Sequence, residues 1–315
     1  MRIAGAPISW GVCEVPGWGH QLAPDRVLAE MRDLGITATE LGPAGFLPIG
    51  RDERDELLES YGLELIGGFV PVVLHDPAYD PMPEARRALD DLGEGTTLVL
   101  AAVTGLDGYD RRPALDTKGW TTLLANLDAI FAMAADRGRC AVLHPHVGTM
   151  VERRDEVEMV LGECGIPLCL DTGHLLIGGT DPSWLARTAA HRIAHVHLKD
   201  VDTQLAEQVR AGQTGYTEAV GAGMYRPLGR GDIDIAGIVR SLENAGYEGW
   251  YVMEQDAVLT AEPAPGGGPY DDVRASLEYL AESDLTESNL TEVDLTEPDL
   301  TDAGPAEAGL AEGAS

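Results

Sequence analysis

The chain has 315 residues, enough for one large α/β core and a tail, with 44% hydrophobic residues and a formal net charge of −31 at pH 7. That charge argues against nucleic acid and anionic membrane surfaces, because either partner needs a basic face. No apolar run approaches the roughly 18 residues of a spanning helix, and the start lacks a basic-then-apolar leader, so the sequence reads as soluble and cytoplasmic.

In chain order, residues 2 to 10 read as a first strand, followed by a loop rich in Gly, Pro and Trp that holds Cys13, Glu14 and Trp18. Pro24 and Asp25 open a helix that Gly35 stops. The run ITATEL, residues 36 to 41, is a second strand with Glu40 near its end. A charged helix over 51 to 61, a strand over 63 to 74, a helix after Pro83 and the strand TTLVLAAV continue the cadence. A long helix over 118 to 137 carries its apolar stripe at Leu123, Leu127, Ile130, Phe131 and Ala134, a core-facing pattern.

Four short apolar runs then end abruptly in polar residues: AVLHPH at His144 and His146, LCLDTGH at Asp171 and His174, HVHLKD at His195 to Asp200, and YVMEQD at Glu254. Helical patterns separate them, at about 153 to 163, 182 to 191 and 235 to 245, and a last helix covers 270 to 282. Residues 201 to 232 read as a long loop, and the stretch GAGMYRPLGRGDID, residues 221 to 234, as a mobile rim loop that covers substrate. About eight strand-helix units predict a (β/α)₈ barrel over 1 to 282, with an open doubly wound sheet as the alternative. Residues 283 to 315 repeat an acidic pentad without aromatic residues and read as a disordered tail.

Parallel strands of a closed barrel deliver their C-terminal ends to one mouth. Asp171 ends so apolar a run that its carboxylate needs a cation or several hydrogen bonds to offset desolvation. His144 and His146 flank Pro145, and of His195 and His197 the more C-terminal one is the better ligand. Two histidines and two carboxylates form a mixed N/O set suited to Mn²⁺, Co²⁺, Zn²⁺ or Fe²⁺ and poor for Ca²⁺. Lys199, at the rim with Asp200, is a donor or base toward substrate or else half of a surface ion pair, and His174 is a hydrogen-bond donor behind the ligands, a substrate contact or a turn cap. There is no phosphate-binding Gly-rich loop and no GxSxG elbow. The four cysteines, Cys13, Cys140, Cys164 and Cys169, lack a CxxC pair and read as reduced thiols.

The fragments PISWGVCEVPGWG, TELGPAGFLP, HPHVGTMVE, LDTGHLLIGGTDP, HRIAHVHLKDV and GRGDIDIAGIV resemble the xylose isomerase-like TIM barrels, and within them the inosose dehydratase branch. The resemblance covers nearly all of residues 1 to 280. It implies a divalent metal, Mn²⁺ or Co²⁺ before Zn²⁺ or Fe²⁺, held by Asp171, His197, Glu254 and a fourth ligand. Where the family has Glu this chain has His144, which leaves the fourth ligand open among His144, His146 and Glu152. It also implies elimination of water from an inosose through a metal-stabilised enolate, with sugar isomerisation or ketose epimerisation, or sugar binding without catalysis, as alternatives. Glu254 or His146 would take the proton, Lys199 or His174 would assist departure, and Trp10, Glu14, Trp18, Glu40 and Asp200 would contact a polyol or sugar. A homo-oligomer stays open.

Overall fold

Apolar runs of four to nine residues, each followed by an amphipathic helix, can bury both faces only by pairing in parallel under a helical layer. The computed structural model describes residues 1–283 and shows that solution. The elements are β1 (Arg2–Gly5), α1 (Pro24–Asp33), β2 (Ala38–Glu40), α2 (Arg51–Ser60), β3 (Glu64–Val72), α3 (Met82–Leu92), β4 (Thr97–Ala102), α4 (Thr117–Ala135), β5 (Cys140–Leu143), α5 (Arg154–Glu163) and β6 (Leu168–Asp171). There follow α6 (Thr172–Ile177), α7 (Pro182–Thr188), β7 (Ile193–Leu198), β8 (Asp200–Val201), α8 (Thr203–Arg210), α9 (Tyr216–Gly221), β9 (Tyr225–Arg226), α10 (Ile235–Asn244), β10 (Trp250–Met253) and α11 (Pro269–Glu282).

Strands β1 to β7 and β10 form a closed parallel barrel. Closure is made by β1 on β10, with Arg2 opposite Trp250 and Gly5 opposite Met253. Register places Cys169 opposite His195 and Asp171 opposite His197. The expected (β/α)₈ architecture is therefore the observed one, and the open sheet is excluded. The tail expectation falls almost wholly outside the described residues. No helix among the described residues is long and apolar enough to cross a membrane.

Three local readings are corrected. The first strand ends at Gly5, because Pro7 opens a 3₁₀ turn (Pro7–Trp10) instead of continuing the ladder. Residues 201 to 232 are not a bare loop: they form α8, α9 and the antiparallel β8–β9 pair, with a small core of their own around Val201, Tyr216, Ala219 and Met224. A short helix, α6, follows Asp171 directly, with the Asp171 carboxylate as its N-cap.

Candidate metal centre and active site

The polar ends of β2, β5, β7 and β10 meet in a cavity of about 290 Å³, lined among others by Glu14, Trp18, Glu40, Phe69, Tyr109, His144, His146, His197, Lys199, Glu254 and Asp256. A larger open groove of about 640 Å³ around His75 and Lys118 contains none of the predicted site residues.

Asp171 is fully buried, and its two oxygens have separate tasks. Oδ1 accepts the His174 amide at 2.8 Å, which fixes the carboxylate, while Oδ2 faces His144 Nε2 at 3.2 Å and His197 Nδ1 at 3.5 Å. His197 Nδ1 also lies 3.3 Å from Glu254 Oε2. One ligand atom each from Asp171, His197 and Glu254 lies within 4.8 Å of the others.

His197 Nε2 lies 3.0 Å from Glu40 Oε1, and His195 Nε2 reaches the same oxygen at 2.7 Å. Glu40 thus takes the Nε2 protons, so in the neutral His197 ring Nδ1 carries the lone pair. That nitrogen is buried without an aligned hydrogen bond, between two carboxylates. A lone pair facing two anions requires a cation or a proton, so the residues present fit a divalent ion. Lys199 adds positive charge beside the same carboxylates, with Nζ 3.1 Å from Glu254 Oε2 and 3.6 Å from Asp171 Oδ2.

Titration follows the same logic. Burial alone would strip His197 of its proton, but the neighbouring Cys169 sulfur, the charges of Glu254 and Glu40 and the Asp171 contact hold its affinity well above the usual histidine value. Burial pushes the carboxyls of Asp171 and Glu254 up, and the cationic neighbours Lys199 and His197 outweigh it and hold both low. Lys199 is held well above the usual lysine value, against its burial, by Asp256, Asp171 and Glu254.

His146 lines the cavity, and its Nδ1 donates to the Val147 carbonyl at 2.7 Å, leaving Nε2 with the lone pair. Burial lowers it to about 3, so the ring is neutral at ordinary pH. It stacks on His174 with ring centroids 3.6 Å apart. His174 Nε2 accepts from Lys199 Nζ at 3.0 Å, which makes His174 a neutral partner of the ammonium.

Several predicted contacts lie elsewhere. Trp10 is fully buried in the core, its Nε1 donating to Glu30 at 2.9 Å, because the 3₁₀ turn rotates it away from the mouth. Asp200 also leaves the cavity: its carboxylate accepts the amides of Val201, Gly229, Gly231 and Ile233 and holds the rim together. Glu152 is taken by the Gly148 amide at 2.7 Å and by Arg112 at 3.6 Å, so of the three candidates for fourth ligand only the histidines remain. His144 is the one facing Asp171. Glu14 stays at the mouth, accepting from Tyr109 Oη at 2.6 Å, and Trp18 is pinned there by the Ala257 carbonyl at 2.9 Å.

Sequence reading missed Asp256, Tyr109, Tyr216 and Tyr225. Asp256 accepts from Lys199 at 2.6 Å and from Tyr216 Oη at 2.7 Å, and Tyr216 Oη meets Tyr225 Oη at 2.9 Å. Asp256 was detectable, two residues beyond Glu254 at the same strand end. Tyr216 and Tyr225 lay in what read as a long rim loop, and Tyr109 in the stretch between the fourth strand and the long helix.

The family model that matches residues 28–283 is that of the xylose isomerase-like TIM barrel. The chain belongs to that family. An inosose dehydratase of Geobacillus kaustophilus (strain HTA426) is 33% identical over 296 residues, spanning 89% of this chain and 94% of the relative. Among solved structures, this xylose isomerase-like barrel superposes on the IOLI protein, which carries a bound zinc atom, with a TM-score of 0.63, 12% identity and coverage of 90% and 98%. An L-ribulose 3-epimerase gives a TM-score of 0.62 at 17% identity, with coverage of 90% and 94%. At such identities the two structures speak to the fold.

Proposed function

We propose that the protein removes water from an inosose, a cyclohexane polyol bearing one ketone, using a divalent cation held by His144, Asp171, His197 and Glu254. The observation that carries the reading is the orphaned His197 Nδ1 between two carboxylates, at the floor of a cavity that also presents a neutral histidine and a buried ammonium. The inosose dehydratase relative, matched over nearly its whole length, supports the substrate class.

Elimination needs a polarised ketone, a base for the neighbouring C–H and an acid for the departing hydroxyl. A divalent ion bound at this site supplies Lewis acidity toward the ketone oxygen and so lowers the pKa of that C–H. His146 Nε2 takes the carbon-bound proton. The C–H electron pair becomes the new C=C bond, and the hydroxyl on the next carbon leaves with a proton from Lys199 Nζ as water. Asp256 and His174 hold Lys199 on the cavity side. Tyr109, Trp18 and Phe69 wall the ring, and Glu14 at the mouth accepts from hydroxyls.

Incubating the Mn²⁺- or Co²⁺-loaded protein with 2-keto-myo-inositol should give the ultraviolet absorbance of a conjugated enone. Exchange of solvent deuterium into substrate without that absorbance would assign an epimerase or isomerase instead. Binding without either would assign a non-catalytic polyol receptor.

A further inference from the structure

Beneath the mouth lies a donor cluster that joins two of the proposed ligands, His144 and His197, to Cys169, a side chain that the proposed reaction does not use. Alternation along a strand puts Val142 and His144 on one face of the β5 end, and Cys169 and Asp171 on one face of β6. Val99, Val142 and Cys169 pack together, so Cys169 sits one step deeper in the barrel than Asp171. The Cys169 thiol and one ring nitrogen each of His144 and His197 lie within 4.8 Å of one another. All three residues are buried, at 0%, 2% and 1% exposure. Both rings also keep a buried Nδ1 without a hydrogen-bond partner.

A nitrogen, sulfur and nitrogen set differs in kind from the oxygen, nitrogen and oxygen set of Asp171, His197 and Glu254. Thiolate and imidazole select Zn²⁺ and its heavier congener Cd²⁺, whereas carboxylate-rich sets suit harder ions such as Mn²⁺. Zinc bonds of about 2.0–2.3 Å need donors closer than 4.8 Å, so the side chains must draw together by about an ångström.

We propose that His144, Cys169 and His197 form a second cation position, one layer below the first, that takes thiophilic divalent ions and excludes occupancy of the first because His144 and His197 serve both. On binding, the Cys169 S–H bond breaks, its proton leaves to solvent, and a sulfur–metal bond forms. The access route is the mouth itself, since His144 and His197 line the cavity. The position gives the protein a means of discriminating metals: a soft ion would draw His197 downward and leave Asp171 and Glu254 without their nitrogen partner. The inference goes beyond the proposed reaction and shares with it only the first cation position; its test uses no substrate, so failure of dehydration and failure of this site are told apart.

The test is a Cd²⁺ titration of metal-stripped, full-length protein, followed by the ultraviolet sulfur-to-cadmium charge-transfer band. The band should grow to one equivalent, persist in Cys13→Ser and Cys164→Ser, and vanish in Cys169→Ser, while Mn²⁺ titration by electron paramagnetic resonance reports that the variant retains its first cation position. Prior saturation with Mn²⁺ should raise the Cd²⁺ needed at least tenfold. Cadmium NMR on the unsubstituted protein reads the donors directly and should show a thiolate-shifted resonance. A band that survives in Cys169→Ser, or a cadmium resonance of oxygen and nitrogen donors alone, overturns the site. An unchanged Cd²⁺ titration after Mn²⁺ loading overturns the sharing of His144 and His197.

Discussion

Glu40 and Asp171 show how far one carboxylate can be read from sequence. Asp171 was legible because an ionised group closing the run LCL has to be compensated, and the structure supplies both an amide and a cluster of cationic side chains. Glu40 was read as a hydroxyl-binding group. Its partners are His195 and His197, more than 150 residues away, and no local pattern announces such a pairing. Because Glu40 fixes which nitrogen of His197 is free, Glu40→Gln should lower Mn²⁺ affinity about 10–100-fold by calorimetry. Glu152→Gln, whose parent side chain is engaged elsewhere, should leave it unchanged. Acid acts at the same nitrogen. His197 holds its proton more tightly than an ordinary histidine, so the ion must displace a proton. Metal affinity should therefore fall as pH is lowered, and each binding event should release protons, measurable as buffer-dependent binding heats.

At the scale of elements, the strand ends were legible and the rim was not. Apolar runs interrupted by a single ionisable residue stand out, whereas α8 and α9 are only eight and six residues long and are set among glycines. What holds the rim is also non-local: Asp200, read as a substrate contact, accepts four backbone amides across more than 30 residues of chain. Asp200→Ala would leave those amides to water or without partners. It should cost on the order of 2–4 kcal/mol, seen as a lowered Tm. The rim reaches the chemistry through Tyr216, which donates to the Asp256 carboxylate that orients Lys199. The close fit there explains the glycine of LDTGH, since a Cβ on Gly173 would come within 2.8 Å of Lys199 Cβ and 2.9 Å of Tyr225.

For the molecule as a whole, the architecture was legible because eight β-then-α units can bury parallel strands on both faces in few ways, and closure follows once β10 pairs with β1. Convergence of the proposed ligands is a consequence of that closure rather than of any local motif. All eight barrel strands and α11 lie within residues 1–283. Removing residues 284–315, which carry nine of the chain's acidic side chains, should leave Tm and metal affinity unchanged and shift only the isoelectric point upward. The central claim is that side chains from four strand ends grip one cation in front of a carbonyl-binding cavity. Elemental analysis of purified protein beside Asp171→Ala tests it most directly. One divalent ion per chain in the parent and almost none in the variant is the expected result; equal metal in both would contradict it.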